Sequence, residues 1–549
     1  MPLNSYEFML VFLPITFFGY RLLQRFISSR AAIGWLLLAC IGFYVASGVV
    51  GLVLIGVSIL WDYVAARAFL ALPPTRTRAK SLVIYAAITT DILFLCYFKY
   101  LNLFLETANP TLFPHLVSSA PYLPLGLSFL TFQKIGFLTD LRSGQIKAVR
   151  LFDFFLFGLF FPKAIAGPIT RYNEFTAQIH EPDQTIRAND TAVGLCLLAI
   201  GLFKQTVMAS IAGQFVSAVF EPQYPQEPVD LLSAWIGALA YTFELYFEFS
   251  GYSDMALGAA RLFGIKLPMN FNSPLKARNL VEFWGRWHIT LTRFLTWQIY
   301  IPMVRHLTRW RVATHRSVLR GINSRMSAIV FLIGVPTLVT MTVSGVWHGS
   351  GWTYLIWGVM HGVCLAICQG WRMIRGRFFP HEAGYKRVMN PVGRVLTWAV
   401  VVMALVVFRA SDVPSAVVIL KGMLGLNGAI PEYLQILIKH DPSANWAYIM
   451  FHSSWYPCLC LVAMLLVVTI APNSLDLLRS FRPALDFPPE GSEAAVVQMR
   501  PNTHPLNLFA VAQRAGIQLT LPAAILYAAF LVLGISAIER SGTFIYGQF

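Results

Sequence analysis

Two apolar runs, 326–346 and 352–371, are each about as long as the ~20 residues that carry a helix across a bilayer. A chain that contains them has few folds open to it. In lipid every backbone N–H and C=O must be satisfied within the protein, which leaves helices and closed barrels. Barrel strands read as short alternating segments, whereas the apolar runs here are continuous. Composition agrees: 56% of the 549 residues are hydrophobic and 12% are charged, against roughly 25% charged in soluble domains, and the mean hydropathy is +0.61. The expectation is an all-α polytopic membrane protein. The apolar stretch 8–23, with no basic residue before it and no small-residue cleavage pattern after it, reads as a retained first span and not as a cleaved signal. Cys40, Cys96, Cys196, Cys364, Cys368, Cys458 and Cys460 all fall in apolar segments, so they read as small core residues with no disulfide and no metal site.

Basic residues orient such a chain, because loops rich in Lys and Arg stay on the cytoplasmic side. Loops placed at 24–30, 67–80, 142–150, 171–190, 261–293, 305–325, 372–394 and 472–515 hold 33 of the 42 basic residues. The opposite stretches, 1–7, 102–121, 221–230, 347–351, 412–445 and 538–549, hold three: Lys421, Lys439 and Arg540. The net charge of +16 therefore follows topology and does not point to nucleic acid. The map predicts about twelve transmembrane helices with both termini outside, in one domain covering 1–549, with 472–515 as an extended cytoplasmic loop. Two further segments, 151–170 and 294–304, lie between loops of the same side and cannot cross. The first ends in FPKAIAGPITR, with a lysine, two prolines and a glycine. Polar or broken backbone at membrane depth survives where it is buried in protein or lines a cavity, so both are expected to be re-entrant walls of a central chamber.

Between the two opening runs lies VSGVWHGSGW (343–352), with one imidazole, His348, next to Trp347 and among Gly345, Gly349 and Gly351. An ionisable residue between spans is a functional candidate by default; the competing role is an interhelical hydrogen bond. His361 follows in WGVMHG and reads as a packing or orienting residue. The stretch 270–302, NFNSPLKARNLVEFWGRWHITLTRFLTWQIYIP, interleaves Lys276, Arg278, Arg286 and Arg293 with Phe283, Trp284, Trp287, Phe294 and Trp297. That mixture suits a helix at the cytoplasmic interface, with His288 at its centre, and its cations suit the phosphates of a nucleotide-bearing donor. Asp254, in GYSDMALG, and the pair Glu244 and Glu248, one face of a helix, are either partners of basic groups or site residues. No zinc-ligand spacing, phosphate-binding glycine loop or GxSxG elbow is present. Histidine is left as the strongest chemical group, suited to general base catalysis or proton relay.

The strings LPLGLSFLTFQKIGFLTDLRSG (123–144), KAIAGPITRYNEF (163–175), GYSDMALGAARLFGIKLPMNFNSPLKARNLVEFWGRWHITLTRFL (251–295), SGVWHGSGWTYLIWGVMHG (344–362) and the closing FIYGQF run in order along the chain. In that order they resemble the membrane-bound O-acyltransferase family, in the branch of the bacterial alginate O-acetyltransferase membrane subunit. The sequence departs from that branch at 295–304, which lacks the usual Arg-Asp pair and double glycine, and at Gly547, where an aromatic is usual.

The resemblance implies a multi-pass protein of the bacterial inner membrane, with His348 as the catalytic histidine and His288 as the second characteristic one. It implies acyl-CoA, in this branch acetyl-CoA, as donor substrate with no bound cofactor. It also implies a surface polysaccharide, or a periplasmic acyltransferase- or esterase-like partner, as acceptor. Arg278, Asn279, Arg286, Trp287, Trp347, His361 and Asp254 are then the candidates for binding the donor or supporting the site. A different class, a transporter or flippase for a polysaccharide or lipid-linked precursor, accounts for many spans and a polar chamber but not for the ordered strings.

Overall fold

A computed structural model describes residues 1–108, 123–180, 188–221, 228–429, 455–485 and 521–540. The closing FIYGQF, most of the outward stretch 102–121, parts of 221–230 and 412–445, and the 472–515 loop beyond Leu485 lie outside these residues. The described residues form helices and connections, with a lone bridge between Arg320 and Ile322 and no strand. Among the described residues six helices are long and apolar enough to cross a membrane: Val49–Ala71, Thr77–Leu101, Ala188–Phe220, Met326–His348, Trp352–Arg377 and Glu382–Arg409. Ser29–Val45, Val413–Met423, Tyr456–Ile470 and Pro522–Ser536 are apolar and shorter. The chain divides into two compact units. Met1–Thr206, Phe249–Asn270 and Ser474–Phe549 make one; Val207–Glu248 and Phe271–Asn473 make the other.

In the first unit, charge inside apolar helices is matched locally. We label Val49–Ala71 α1, Thr77–Leu101 α2 and Leu127–Arg142 α3. Lys134 of α3 lies 3.2 Å from Asp62 of α1, bonds Asp91 of α2, and donates to Ser58 Oγ at 2.5 Å. All three charged side chains are at most 2% exposed. An unpaired charge at such depth is costly, so this triad ties three helices together.

The segment 151–170 also belongs to this unit. Leu151–Leu159 is helical for nine residues, roughly 13.5 Å at 1.5 Å per residue, far short of a ~30 Å hydrocarbon core. A 3-10 turn, Phe161–Lys163, follows, and every residue from 159 to 170 is buried. Lys163 bonds Gln133 Oε1 and stands 3.6 Å over the Phe157 ring and 5.3 Å from that of Phe175. Gly126 explains why two separate motifs meet here. Its φ of +73° disfavours a side chain, and a Cβ there would run into the carbonyl oxygen of Ala164.

In the second unit the segment 294–304 departs from the expected broken backbone. Ile289–Leu295 continues through a π-helical turn, Thr296–Tyr300, into Ile301–Ala313, so the chain is helical throughout. Pro302 follows directly on the π turn, whose wider bonding pattern accommodates a residue that lacks an N–H inside a continuous helix.

The same unit holds a close helical hairpin. We label Met326–His348 α4, Trp352–Ile374 α5 and Glu382–Arg409 α6. α4 ends on His348, the last helical residue, and α5 begins after Gly349, Ser350 and Gly351. A Cβ on Gly358 would lie 2.5 Å from the Met341 carbonyl oxygen and 3.1 Å from Gly345 Cα. The two backbones can approach this closely only because both positions are glycine.

Candidate functional site

The end of the α4–α5 hairpin is walled by aromatic rings. His348 is 3% exposed. Its ring lies 4.8 Å from Trp347, 5.2 Å from Trp357 and 5.3 Å from Phe408 of α6, the last two nearly edge-on at 85° and 77°. Trp357 and His361 are four residues apart on α5 and so share a helix face; their rings are 5.0 Å apart. Trp284 closes on both, at 5.2 Å from His361 and 5.9 Å from Trp357. His288, four residues after Trp284, reaches Trp347 at 6.3 Å. Three histidines distant in sequence are thus linked through three tryptophans in one cluster.

Several polar atoms in this cluster are buried without a hydrogen-bond partner among the described residues: Nε1 of Trp284, Nε1 of Trp357 and Nδ1 of His361. Buried indole and imidazole groups usually find partners, and leaving one unmet costs about 1–3 kcal/mol. Unmet polar atoms in such a cluster suit a substrate that carries carbonyl and hydroxyl groups.

His288 has a strained backbone. Its φ of 44° and ψ of 50° are left-handed, a conformation that costs a residue with a Cβ about 1–2 kcal/mol and that gathers at functional sites. It is the N-cap of Ile289–Leu295 and is 1% exposed. Burial pushes its imidazole down to about 3, so it is neutral at ordinary pH. In that state it can accept or donate a hydrogen bond but presents no positive charge.

The other sequence candidates take more structural roles. Asn279 caps the short helix Leu280–Trp284, its Oδ1 accepting from the Glu282 N–H at 3.0 Å. Glu282 in turn accepts from the Arg278 N–H at 3.0 Å and pairs with Arg286 at 2.8 Å. Arg286 also donates to the Asn272 carbonyl at 3.3 Å. Trp287 is buried and stacks on Phe283 at 5.7 Å, with Phe271 edge-on at 5.1 Å. Asp254 belongs to the first unit, where Lys204 holds its carboxylate at 2.6 Å and also reaches Ser474 Oγ at 3.3 Å. Glu244 and Glu248 share the helix Leu231–Leu262. Among the described residues no group of three or more His, Cys, Asp or Glu is arranged to hold a metal ion, and the seven cysteines are free.

Sequence reasoning did not single out Trp357 or Phe408 as site residues. The first could have been found from its spacing of four to His361. Phe408 gives no signal, since it sits in an unbroken apolar run.

Comparison with known proteins adds what geometry alone cannot. Residues 80–319 match the profile of the membrane-bound O-acyltransferase family. The chain is 34% identical over 457 residues to the peptidoglycan O-acetyltransferase of Helicobacter pylori, covering 77% of this chain and 80% of that protein. It is 33% identical over 427 residues to the probable alginate O-acetylase of Pseudomonas aeruginosa, covering 76% and 73%. A teichoic acid D-alanyltransferase of Streptococcus thermophilus is 32% identical over 251 residues, 45% of this chain and 57% of that protein.

Proposed function

Because the chain belongs to the membrane-bound O-acyltransferase family and is therefore a membrane acyltransferase, we propose that it moves an acetyl group from cytoplasmic acetyl-CoA to a hydroxyl outside the membrane, with His348 as general base. The acceptor is a hydroxyl of an exported polysaccharide or of a periplasmic acyl-carrying partner. The names of the relatives, which act on peptidoglycan, alginate and teichoic acid, support a surface polymer as the final acceptor. The observation that carries the reading is the burial of His348 among aromatic rings at the turn between two helices long enough to cross a bilayer.

The chemistry is acyl transfer by direct attack. His348 takes the proton from the acceptor hydroxyl as that oxygen attacks the thioester carbonyl. The C–O bond forms, the C–S bond breaks, and the imidazolium returns its proton to the departing thiolate. A base so placed typically contributes about 10²–10⁴-fold in rate. The unmet N–H groups of Trp284 and Trp357 are suited to the oxygen on which negative charge develops. His288, neutral and buried, positions the thioester from the side of Trp347.

In this reading the single domain 1–549 crosses the bacterial inner membrane about twelve times, the six long helices being joined by the shorter apolar ones. The segments 151–170 and 294–304 do not cross, and 472–515 is a cytoplasmic loop. The excess of basic residues on one set of loops supports this orientation. Cysteines placed in 305–325 or 372–394 should react only with membrane-permeant maleimides; labelling of 372–394 from outside intact cells overturns the orientation.

The transfer itself is tested by incubating purified protein with acetyl-CoA and following free CoA together with acetyl groups on an added polysaccharide. Release of CoA that depends on acceptor supports the reading. A protein that binds the polymer but leaves the thioester intact is a transporter, and the proposal fails.

A further inference from the structure

Two segments of the second unit concentrate the charge of the chain. Residues 305–325 hold six arginines and no acidic residue, and 372–394 hold five arginines, one lysine and a single acid, Glu382. That is a net +11 in 44 residues, where the whole chain carries +16. Orientation alone does not require such density. The loops 24–30 and 142–150, assigned to the same side, hold two and three basic residues, and a modest excess suffices to keep a loop inside.

The fold joins the two segments into one surface. The Arg377 guanidinium donates to the carbonyls of Ile322 and, at 2.7 Å, of Ser324, and a Cβ on Gly376 would lie 2.6 Å from Ile322 Cδ1. This surface flanks one end of the three helices around His348: α4 starts at Met326, α5 ends at Ile374 and α6 starts at Glu382. Among the described residues Glu382 is the one carboxylate that pairs with these cations, meeting Arg375 at 3.1 Å and Lys386 at 2.8 Å. Arg305, Arg309, Arg372 and Arg387 are exposed and pair with no described residue. Arg325 precedes α4 without a side-chain cap bond, and a cation there opposes the helix dipole, so helix stability does not account for it.

Aromatic rings lie exposed among the charges. Phe378, 62% exposed, stacks on Trp371 at 5.9 Å, and Phe379, 47% exposed, lies 5.2 Å from Tyr385. We propose that this surface binds the anionic phospholipid headgroups of the leaflet it abuts. The unpaired arginines meet the headgroup charge, as clusters of basic residues beside membrane helices do, and the two phenylalanines enter the interfacial layer. A soluble polyanion would match the charge but leave those rings in water, which favours lipid.

The test counts lipids bound to the purified full chain by native mass spectrometry, from a neutral detergent containing equal phosphatidylglycerol and phosphatidylcholine. One variant carries Arg305→Gln, Arg309→Gln, Arg372→Gln and Arg387→Gln. A matched control carries Arg30→Gln, Arg67→Gln, Arg76→Gln and Arg78→Gln, which are exposed cations of the first unit. The parent should prefer phosphatidylglycerol by roughly fivefold or more, the scale of one cation beside an anionic surface, and the preference should shrink as salt is added. It should be lost in the first variant and kept in the control. No preference in the parent, an undiminished preference in the first variant, or an equal loss in the control overturns the proposal. So does tighter binding of soluble polyglutamate that the same four substitutions abolish, since that would assign the surface to an acidic polypeptide. Binding is read without an acyl donor, so the result is independent of the acyl-transfer assay.

Discussion

Replacing His348 separates its chemistry from its packing only if the replacement keeps a ring. The imidazole touches three aromatic rings, Trp347, Trp357 and Phe408, at 4.8–5.3 Å. Aromatic pairs contribute about 0.5–1.5 kcal/mol each, and a large-to-small change adds the cost of whatever cavity the surroundings fail to close. His348→Ala is therefore expected to lose roughly 2–4 kcal/mol. With an unfolding entropy near 2.1 cal/mol/K per residue and 549 residues, that is a fall of about 2–4 °C in thermal midpoint. His348→Phe restores the ring contacts with a larger side chain, and should melt above His348→Ala because overpacking typically costs less than an open cavity. Neither variant can accept the hydroxyl proton, so both should lose at least ~10²-fold in acetyl transfer. Detergent thermal melts and initial rates at saturating acetyl-CoA measure the two effects on the same samples. Near-parental turnover in His348→Phe removes His348 from the mechanism. A His348→Phe protein that melts as low as His348→Ala refutes the account of what holds the ring.

The remaining predictions concern the surroundings of that histidine and the first unit. At His288 the left-handed backbone makes His288→Gly more stable than His288→Ala by about 1 kcal/mol, read as the difference in their melting points; equal stabilities would mean that the strain is absent. Because burial holds the folded-state value at about 3, below the unfolded 6.5, the unfolded chain binds the extra proton between the two. The contribution of His288 to stability is then full above pH 6.5 and falls as the pH drops towards 3, so the parent's melting point should decline with acid more steeply than that of His288→Gly. Lys134→Met leaves Asp62 and Asp91 without their cation and should cost about 3–5 kcal/mol, as breaking a buried pair does; an unchanged melt would show that the triad does not tie the three helices. Arg286→Ala should raise KM for acetyl-CoA more than it lowers kcat if its partly exposed guanidinium meets donor phosphates, and a lowered melting point with unchanged KM would leave it as a partner of Glu282 only.

Much of this was legible in the sequence because lipid simplifies the problem. The runs 326–346 and 352–371 became helices ending at His348 and starting at Trp352, since apolar length alone decides a span. The roles in 278–287 were less legible, although one signal was present. Asn279 followed three residues later by Glu282 is an N-cap pattern, and Glu282 four before Arg286 is an ion-pair spacing. Both describe local structure, and both compete with donor binding for the same atoms. Trp287 carried no such signal; its burial against Phe271 and Phe283 depends on a fold-back between residues far apart. At 294–304 a proline and mixed polarity suggested a break, but a π turn placed Pro302 where a helix tolerates it. Contact between His288 and Trp347, 59 residues apart, is tertiary information that no periodicity contains.

The cations of the apolar segments and the surroundings of His348 differ in how their polar groups are met. Cations inside the apolar segments are met close at hand: Lys134 by Asp62 and Asp91, Lys163 by Gln133 and the Phe157 face, Lys204 by Asp254, and Arg409 by Glu221. None of these contacts needs a ligand. Around His348 the pattern is reversed. Trp284, Trp357 and His361 bring polar atoms into a cluster built otherwise of rings, and no described residue meets those atoms. Packing alone would be better served there by phenylalanine and leucine, which bury the same area without an N–H to satisfy. The hairpin glycines act in the same direction. By letting α4 and α5 touch along Met341, Gly345 and Gly358, they set the depth at which α4 ends, and so fix His348 against rings supplied by α5 and α6. A methyl group on Gly358 would push the two backbones apart and move that imidazole relative to Trp357. The change should therefore lower the acetyl-transfer rate by more than its effect on the melting point alone explains, whereas a loss of stability with full activity would mean that the hairpin does not position the base.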